Sequence, residues 1–171
     1  MSITMYDASV PVMTHILKAM LVILDKADAH CTAKRIEPAV MLGTRLIPDM
    51  FPLSRQVQIA CDFAKGAGAR LAGIEVPSYP DDEKSFADLK ARIAKTIAFL
   101  DTIKPAQIAG SEGRDIKMKA GPNDMHFKGQ DYLTGFVLPN FYFHATTAYA
   151  ILRQNGVEIG KFDFLGVPRP A

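Results

Sequence analysis

Tryptophan is absent from this chain, and cysteine is scarce, with two residues in 171. Cys31 and Cys61 form no C-x-x-C unit, and two thiols so far apart in sequence favour reduced, structural roles over a redox pair. A chain of this length buries about 70% of the surface that its unfolded form exposes, so it needs neither a disulfide nor a metal to fold. The sequence therefore predicts one domain over residues 1–171.

An excess of charge of either sign is also missing. The chain has 20 Lys and Arg against 18 Asp and Glu, which gives a net charge of +2. No basic run is interleaved with aromatic residues, and binding to nucleic acid or to an anionic membrane usually needs such clustered positive charge. We therefore expect no nucleic-acid partner.

Long hydrophobic runs are lacking as well. The apolar stretch near the N-terminus is interrupted by His15 and Lys18, and neither a basic segment before it nor an A-x-A site after it marks a signal peptide. The same stretch is too short and too polar to span a bilayer. These features predict a cytoplasmic protein without a membrane partner.

Four segments carry apolar residues at the spacing of an amphipathic helix. They span about residues 9–31, 52–71, 83–103 and 139–154. Their stripes are Met13, Ile16, Leu17, Met20, Leu21 and Leu24; Leu53, Val57, Ala60, Ala64, Ala67 and Leu71; Phe86, Leu89, Ile93, Ile97 and Leu100; and Leu138, Phe141, Ala145, Ala148 and Leu152. The heptad-like spacing of the second stripe suits neighbours crossing at about 20°. The pattern predicts an all-α protein, a four-helix bundle.

The ends of these helices carry recognisable signals. Ser9 is placed to cap the first helix, and Pro11 falls in its first turn, where the missing N–H has no cost. Pro105 should stop the third helix, and Asn155-Gly156 should end the fourth. Residues 34–52 are interpreted as a connector with a short helical turn, "GIEVPSYPDD" (73–82) as a loop, and the tail 157–171 as an irregular segment lying across the bundle.

A different period appears before the last helix. Ile116 and Met118 alternate on one side of the Gly-Pro-Asn-Asp turn, and Met125 and Phe127 alternate on the other. Two short alternating runs around such a turn predict a small β-hairpin inserted into the helical chain.

His144 is the histidine that best deserves a chemical interpretation, because it borders the apolar stripe of the last helix. A bundle metal site usually needs His-x-x-x-His or Glu-x-x-His on one helix and further ligands from a neighbour. Phe141, Asn140 and Ala148 occupy the partner positions, so the motif is incomplete.

A site around His144 is nevertheless conceivable from the second helix, which offers Gln58 and Asp62 one turn apart, and Gln56 nearby. It would combine His144 and Asp62 with one of Gln58, Asn140 or His15. Three interpretations stay open: a buried histidine that hydrogen-bonds a neighbouring side chain, a polar ligand pocket without metal, and a metal site.

Catalytic residues are not identified by motif. No G-x-S-x-G is present, and the His30-Cys31 pair is adjacent in a helix, where neighbouring side chains point about 100° apart. The catalytic residues therefore remain unknown at this stage.

Three stretches resemble a bacterial family of uncharacterised function: "YDASVPV", "DMFPLSRQVQIACDFAK" and "LPNFYFHATTAYAILRQNGVEIGKFDFLG". That family is related to the DinB/YfiT-like metalloenzyme superfamily. The resemblance spans nearly the whole chain and implies a four-helix bundle of up-down-down-up connectivity that often forms homodimers.

The superfamily places a divalent metal on three histidines, one on the second helix and two spaced i, i+4 on the last. Carried over by resemblance, His144 matches one of the last pair, Asn140 or Ala148 takes the other place, and Gln58 takes the second-helix place. Two of the three ligands are thus replaced.

These observations predict a small-molecule-binding or otherwise non-catalytic homodimer with a degenerate metal site. Its pocket would be lined by His144, Asn140, Gln58 and Asp62, and no cofactor is expected. The alternatives are an enzyme of thiol-transferase or hydrolase type that uses a divalent metal such as zinc or nickel, with His144 as the main ligand candidate, and a purely structural dimer.

Overall fold

A computed structural model describes residues 2–168, which are mostly helical with one two-stranded antiparallel sheet. The elements are α1 (Val10–Lys34), α2 (Pro38–Gly43), α3 (Leu53–Ala72), α4 (Phe86–Asp101), α5 (Pro105–Ile108), a 3₁₀ turn (Ser111–Gly113), β1 (Asp115–Ala120), β2 (Asn123–Lys128), α6 (Gly129–Asp131), a π-helix (Tyr132–Val137), α7 (Leu138–Gln154) and α8 (Lys161–Leu165). The mostly helical fold with a hairpin before the last helices confirms the coarse prediction.

The four long helices are α1, α3, α4 and α7, and they enclose one apolar core. Helix α3 packs against α7 and α4, and α1 packs against α4. All six residues of the stripe predicted on α3 are fully buried. The alanines among them allow neighbouring helices to approach α3 closely. The polar side chains beside this stripe therefore lie against α7 and α4.

The helix ends differ from the predictions in four places. Helix α1 continues past Cys31 to Lys34 and closes on Arg35, whose φ of 55° is left-handed. Ser9 precedes the helix, but its hydroxyl donates to the carbonyl of Met5 at 2.6 Å instead of capping an N–H group. Helix α4 begins only at Phe86, and Pro105 opens the short helix α5.

The hairpin is confirmed where it was predicted. Ile116 pairs with Phe127, and Met118 pairs with Met125, across a turn in which Gly121 has a φ of 60°. Ile116 is buried, and Phe127 packs onto the core from the bundle side. The hairpin is therefore attached to the bundle through one face.

The tail after α7 is more regular than predicted. Residues Lys161–Leu165 form α8, which packs against α1, and the Leu165 carbonyl lies 2.7 Å from Nε2 of the exposed His15. Phe164 packs edge-on to Tyr149 with ring centroids 5.8 Å apart. The prediction that the tail lies across the bundle is confirmed for α8, and residues 169–171 lie outside the described part.

Within residues 2–168, no helix combines the length and the apolar character needed to cross a membrane.

Candidate functional site

His144 lies at the junction of α7 and α3, where it is 8% exposed. Its Nδ1 atom lies 2.7 Å from Oε1 of Gln56, a residue that is itself 1% exposed. Gln56 follows Leu53 by three residues and precedes Ala60 by four, so it stands on the buried stripe of α3. A side chain of α3 therefore hydrogen-bonds the imidazole. This agrees with the first of the three interpretations, a buried histidine that hydrogen-bonds a neighbouring side chain.

The orientation of Gln56 determines which imidazole nitrogen carries the proton. The Gln56 amide nitrogen donates to the Phe51 carbonyl at 3.0 Å, and a carbonyl oxygen can only accept. The amide oxygen must then face His144, so Nδ1 of His144 is the donor and carries hydrogen. The neutral ring is left with a lone pair on Nε2.

That lone pair has no hydrogen-bond partner among residues 2–168, and Nε2 keeps contact with solvent. Around it, the ring of Phe63 stacks on the imidazole at 6.0 Å between centroids, and Phe143 meets it edge-on at 5.2 Å. Burial, together with the positive charge of Arg55, lowers the pKa of His144 below its ordinary value. The neutral form is therefore favoured near pH 7.

The other predicted pocket residues form hydrogen bonds with groups other than the imidazole. Asn140 donates to the Phe136 carbonyl within its own helical segment, and Gln58 donates to Glu83 at 2.7 Å. Asp62 accepts from Arg92 at 2.8 Å, and His15 lies against α8. Gln56, and not Gln58, is the α3 residue that reaches His144.

Gln58 and Asp62 instead belong to an ion-pair cluster centred on Arg92, whose side chain is only 2% exposed. Its guanidinium bonds the carboxylates of Asp62, Asp81 and Glu83 at 2.8, 3.0 and 2.8 Å, and the Pro80 carbonyl at 2.9 Å. The Nε atom is buried without a partner. One arginine thus joins α4, α3 and the loop between them.

The electrostatics of this cluster follow from burial and pairing. Burial opposes the charge on Arg92, but the carboxylates of Glu83 and Asp62 outweigh it and raise the pKa of the guanidinium. Burial likewise would raise the pKa of Glu83, yet hydrogen bonds from Arg92 and Gln58 hold that pKa below its ordinary value. Both groups are therefore charged near neutral pH.

Three cations also surround Tyr79, which belongs to the same loop. Lys95 Nζ lies 4.3 Å from the ring centroid, Lys65 Nζ lies 4.9 Å from it, and the Arg92 guanidinium carbon lies 5.7 Å from it. This cluster was not predicted from the sequence, although one signal was present: Arg92 follows Leu89 by three residues and so places a charged side chain at the edge of the apolar stripe of α4.

The three-histidine metal centre that the resemblance implies does not fit the residues present. In the part of the chain that the structure describes, no three His, Cys, Asp or Glu side chains converge to hold a metal. The neighbours of His144 are an amide and two phenyl rings, which are poor ligands for zinc or nickel. A metal at this site would have His144 as its only strong protein ligand.

Comparison with known proteins places this fold in a family. The family model "Domain of unknown function (DUF1993)" matches residues 5–165. The crystal structure of a DinB family member protein from Shewanella denitrificans is 40% identical in sequence, covers 97% of this chain and 94% of its own, and superposes with a TM-score of 0.88. No curated protein matches. On the evidence of the near-complete family match and this DinB-like neighbour, the chain belongs to the DUF1993 domain family.

Proposed function

We propose that this protein is a non-catalytic, cytoplasmic bundle protein of bacterial origin with up-down-down-up connectivity, which binds a small molecule at His144 and functions as a homodimer. The observation that carries the proposal is the neutral imidazole whose Nδ1–H is held by Gln56 at 2.7 Å. That bond leaves Nε2 as an acceptor with no hydrogen-bond partner among residues 2–168, on a ring that Phe63 stacks against and Phe143 meets edge-on.

The chemistry of these groups defines the ligand class. A neutral Nε2 atom accepts a hydrogen bond, so the ligand needs a hydroxyl or N–H donor. The phenyl rings beside it favour an apolar or aromatic body, because burial of such surface contributes about 25 cal/mol per Å². Small hydroxylated or amine-bearing aromatic compounds meet both requirements.

The homodimer is supported by the resemblance and by the surface of α7. Phe143 is 54% exposed, and Phe51, whose carbonyl Gln56 binds, is 53% exposed. Exposed aromatic residues of this kind are enriched at protein interfaces. Both flank the His144–Gln56 pair, so the dimer contact would border the ligand site.

The alternative is an enzyme of thiol-transferase or hydrolase type that depends on a divalent metal. The same Nε2 lone pair favours it, because metals bind the neutral form of imidazole. The shortage of further ligands around His144 argues against it.

Metal analysis and ligand screening separate the two. Protein purified without an affinity tag is analysed for bound zinc, nickel and manganese, and its molar mass is measured by light scattering. A thermal-shift screen of hydroxylated and amine-bearing aromatic compounds is then run on the wild type, on His144→Ala, and on His126→Ala, which removes an exposed histidine of the hairpin.

The proposal expects less than about one tenth of a metal ion per chain, a dimer mass, and a compound whose stabilisation persists in His126→Ala and is lost in His144→Ala. Near-stoichiometric metal that is lost in His144→Ala would establish the metal-dependent alternative instead. A monomer mass, or compounds that bind the wild type and His144→Ala equally, would refute the corresponding part of the proposal.

A further inference from the structure

The connection between α3 and α4, residues 73–85, is held to the bundle in an unusual way, and we call it the Tyr79 loop. It contains neither helix nor strand, and none of its residues reaches the burial of the core. Residues 75–83 make no backbone–backbone hydrogen bond. Loops of this length without secondary structure are uncommon in compact domains and are often functional.

Charged and polar contacts, and not the burial of apolar side chains, attach this loop to the bundle. Arg92 of α4 binds the Pro80 carbonyl and the carboxylates of Asp81 and Glu83. From α3, Gln58 donates to Glu83, and Arg55 pairs with Asp81. Three of these contacts, those to Pro80, Asp81 and Glu83, meet at the Arg92 guanidinium, so losing them would weaken the attachment of the loop without removing a side chain from the apolar core.

Buried groups lie beneath the loop. The Cys61 thiol is fully buried on α3, and the Arg92 side chain is 2% exposed. Burial raises the pKa of Cys61 to about 12. Cys61 precedes Lys65 by four residues on α3, and Lys65 Nζ lies 4.9 Å from the centroid of the Tyr79 ring, so the loop covers this part of α3. Tyr79, Glu83, Arg92 and Lys95 line an open cleft of about 360 Å³ between the loop and α4.

We propose that the Tyr79 loop opens as a unit, that the ion pairs of Arg92 keep it closed, and that opening exposes the Cys61 thiol to solvent. Local opening of this kind requires a segment with few buried apolar contacts and few backbone hydrogen bonds, and the loop has both properties. Access to this face of α3 and α4 is then controlled by the pairing of Arg92 with Glu83 and Asp81.

The chain contains an internal reference for testing this. Cys31 is 1% exposed on α1, outside the connection between α3 and α4, so its labelling serves as a reference for opening elsewhere in the domain. The labelling rates of both thiols by N-ethylmaleimide are followed by mass spectrometry of peptides. They are compared in the wild type, Glu83→Gln, Asp81→Asn and Asp82→Asn. Asp82 lies in the same loop, is exposed and has no hydrogen-bond or ion-pair partner among residues 2–168, so Asp82→Asn is the matched control.

Glu83→Gln removes one charge from the pairing with Arg92, and we expect it to accelerate Cys61 labelling by about tenfold. Asp81→Asn should give a smaller increase, because the Asp81 side chain is 41% exposed and its pairing is weaker. Labelling of Cys31 should change by less than about twofold in each variant, and Asp82→Asn should match the wild type.

Unchanged Cys61 labelling in Glu83→Gln and Asp81→Asn would overturn the proposal. Equal acceleration of Cys61 and Cys31 would overturn it too, since it would mean that the domain opens as a whole. So would acceleration of the same size in Asp82→Asn. If Glu83→Gln does not yield folded protein, the result with Asp81→Asn decides.

Discussion

Nδ1 of His144 and Oε1 of Gln56 lie 2.7 Å apart, and this hydrogen bond joins α7 to α3. Both side chains are almost fully buried. The bond therefore fixes the tautomer of the imidazole and contributes to the packing of the two helices.

Removing the acceptor should destabilise the protein. Gln56→Ala leaves the buried Nδ1–H without a partner, which costs about 1–3 kcal/mol. The free energy of unfolding is measured by urea denaturation. Gln154→Ala, at an exposed position near the end of α7, is the control and should change this free energy by less than about 0.5 kcal/mol. Equal losses in the two variants would contradict the structural role of the bond.

Replacing the acceptor by a carboxylate should change the charge of the ring. In Gln56→Glu an anion faces Nδ1–H and favours the imidazolium form, so the pKa of His144 should rise above its wild-type value. An NMR titration of the His144 ring protons measures this directly. A pKa that stays the same, or falls, would mean that Gln56 does not control this ring.

Stability should depend on pH through His144. Its pKa is lowered in the folded state by burial and by Arg55, from an ordinary value of 6.5. Below about pH 6.5 the His144 ring of the unfolded chain binds a proton more tightly than the same ring does in the folded state. The contribution of this ring to the free energy of unfolding is therefore complete above that pH and is lost as the pH falls. Carboxylates whose pKa is lowered in the folded state, such as Glu83, change the free energy of unfolding only at lower pH, because the ordinary pKa of a glutamate is 4.5.

Urea midpoints at about pH 7.5 and about pH 5 measure this effect. The midpoint of the wild type should fall between the two conditions, and His144→Gln, which has no titrating ring, should fall less. A fall of the same size in both proteins would assign the pH dependence to other groups.

Substitution by alanine of two glycines near the start of the last helical segment should have different effects on the free energy of unfolding. A Cβ atom on Gly129 would collide with the backbone carbonyl of Ser111, which cannot rotate away. A Cβ on Gly135 would meet no atom within 4 Å. Gly129→Ala should therefore destabilise by about 1–3 kcal/mol, as overpacking does, whereas Gly135→Ala should be neutral or stabilise by up to about 1 kcal/mol in a helix. Thermal unfolding of both variants tests the contrast, and a harmless Gly129→Ala would contradict the close approach.

The alanines of α3 should not tolerate enlargement. Ala64 is fully buried where α3 packs on its neighbours, so Ala64→Leu should cost about 1–3 kcal/mol. Ala94→Leu, on the exposed face of α4, should be nearly neutral. Urea denaturation compares the two, and equal stability of the variants would show that α3 has room for larger side chains.

Periodicity predicted the long helices well because their apolar stripes are continuous. The stripe on α3 is buried as predicted, and so are the residues predicted on α4. Helix ends were harder to predict, since local contacts decide them. Ser9, for example, has a typical capping side chain, but a nearby carbonyl in the preceding turn takes its hydroxyl hydrogen.

The candidate site could be predicted only in part. That His144 is buried and bonded to an α3 side chain was among the stated possibilities, because the residue borders its stripe. The choice between Gln56 and Gln58 could not be made from spacing, since both are buried on α3 and rotation of one helix against another decides which of them faces α7. Gln58 and Asp62 face α4 and the Tyr79 loop instead.

The sequence by itself determined the four long helices, the hairpin and most of the buried stripes, because these depend on the period of apolar residues along a local segment. Only the tertiary structure decided the partners of the polar side chains. A hydrogen bond such as that from His144 to Gln56 joins residues 88 positions apart, and its formation depends on the relative rotation and distance of two helices. The Arg92 cluster depends likewise on the path of a loop that carries no periodic pattern.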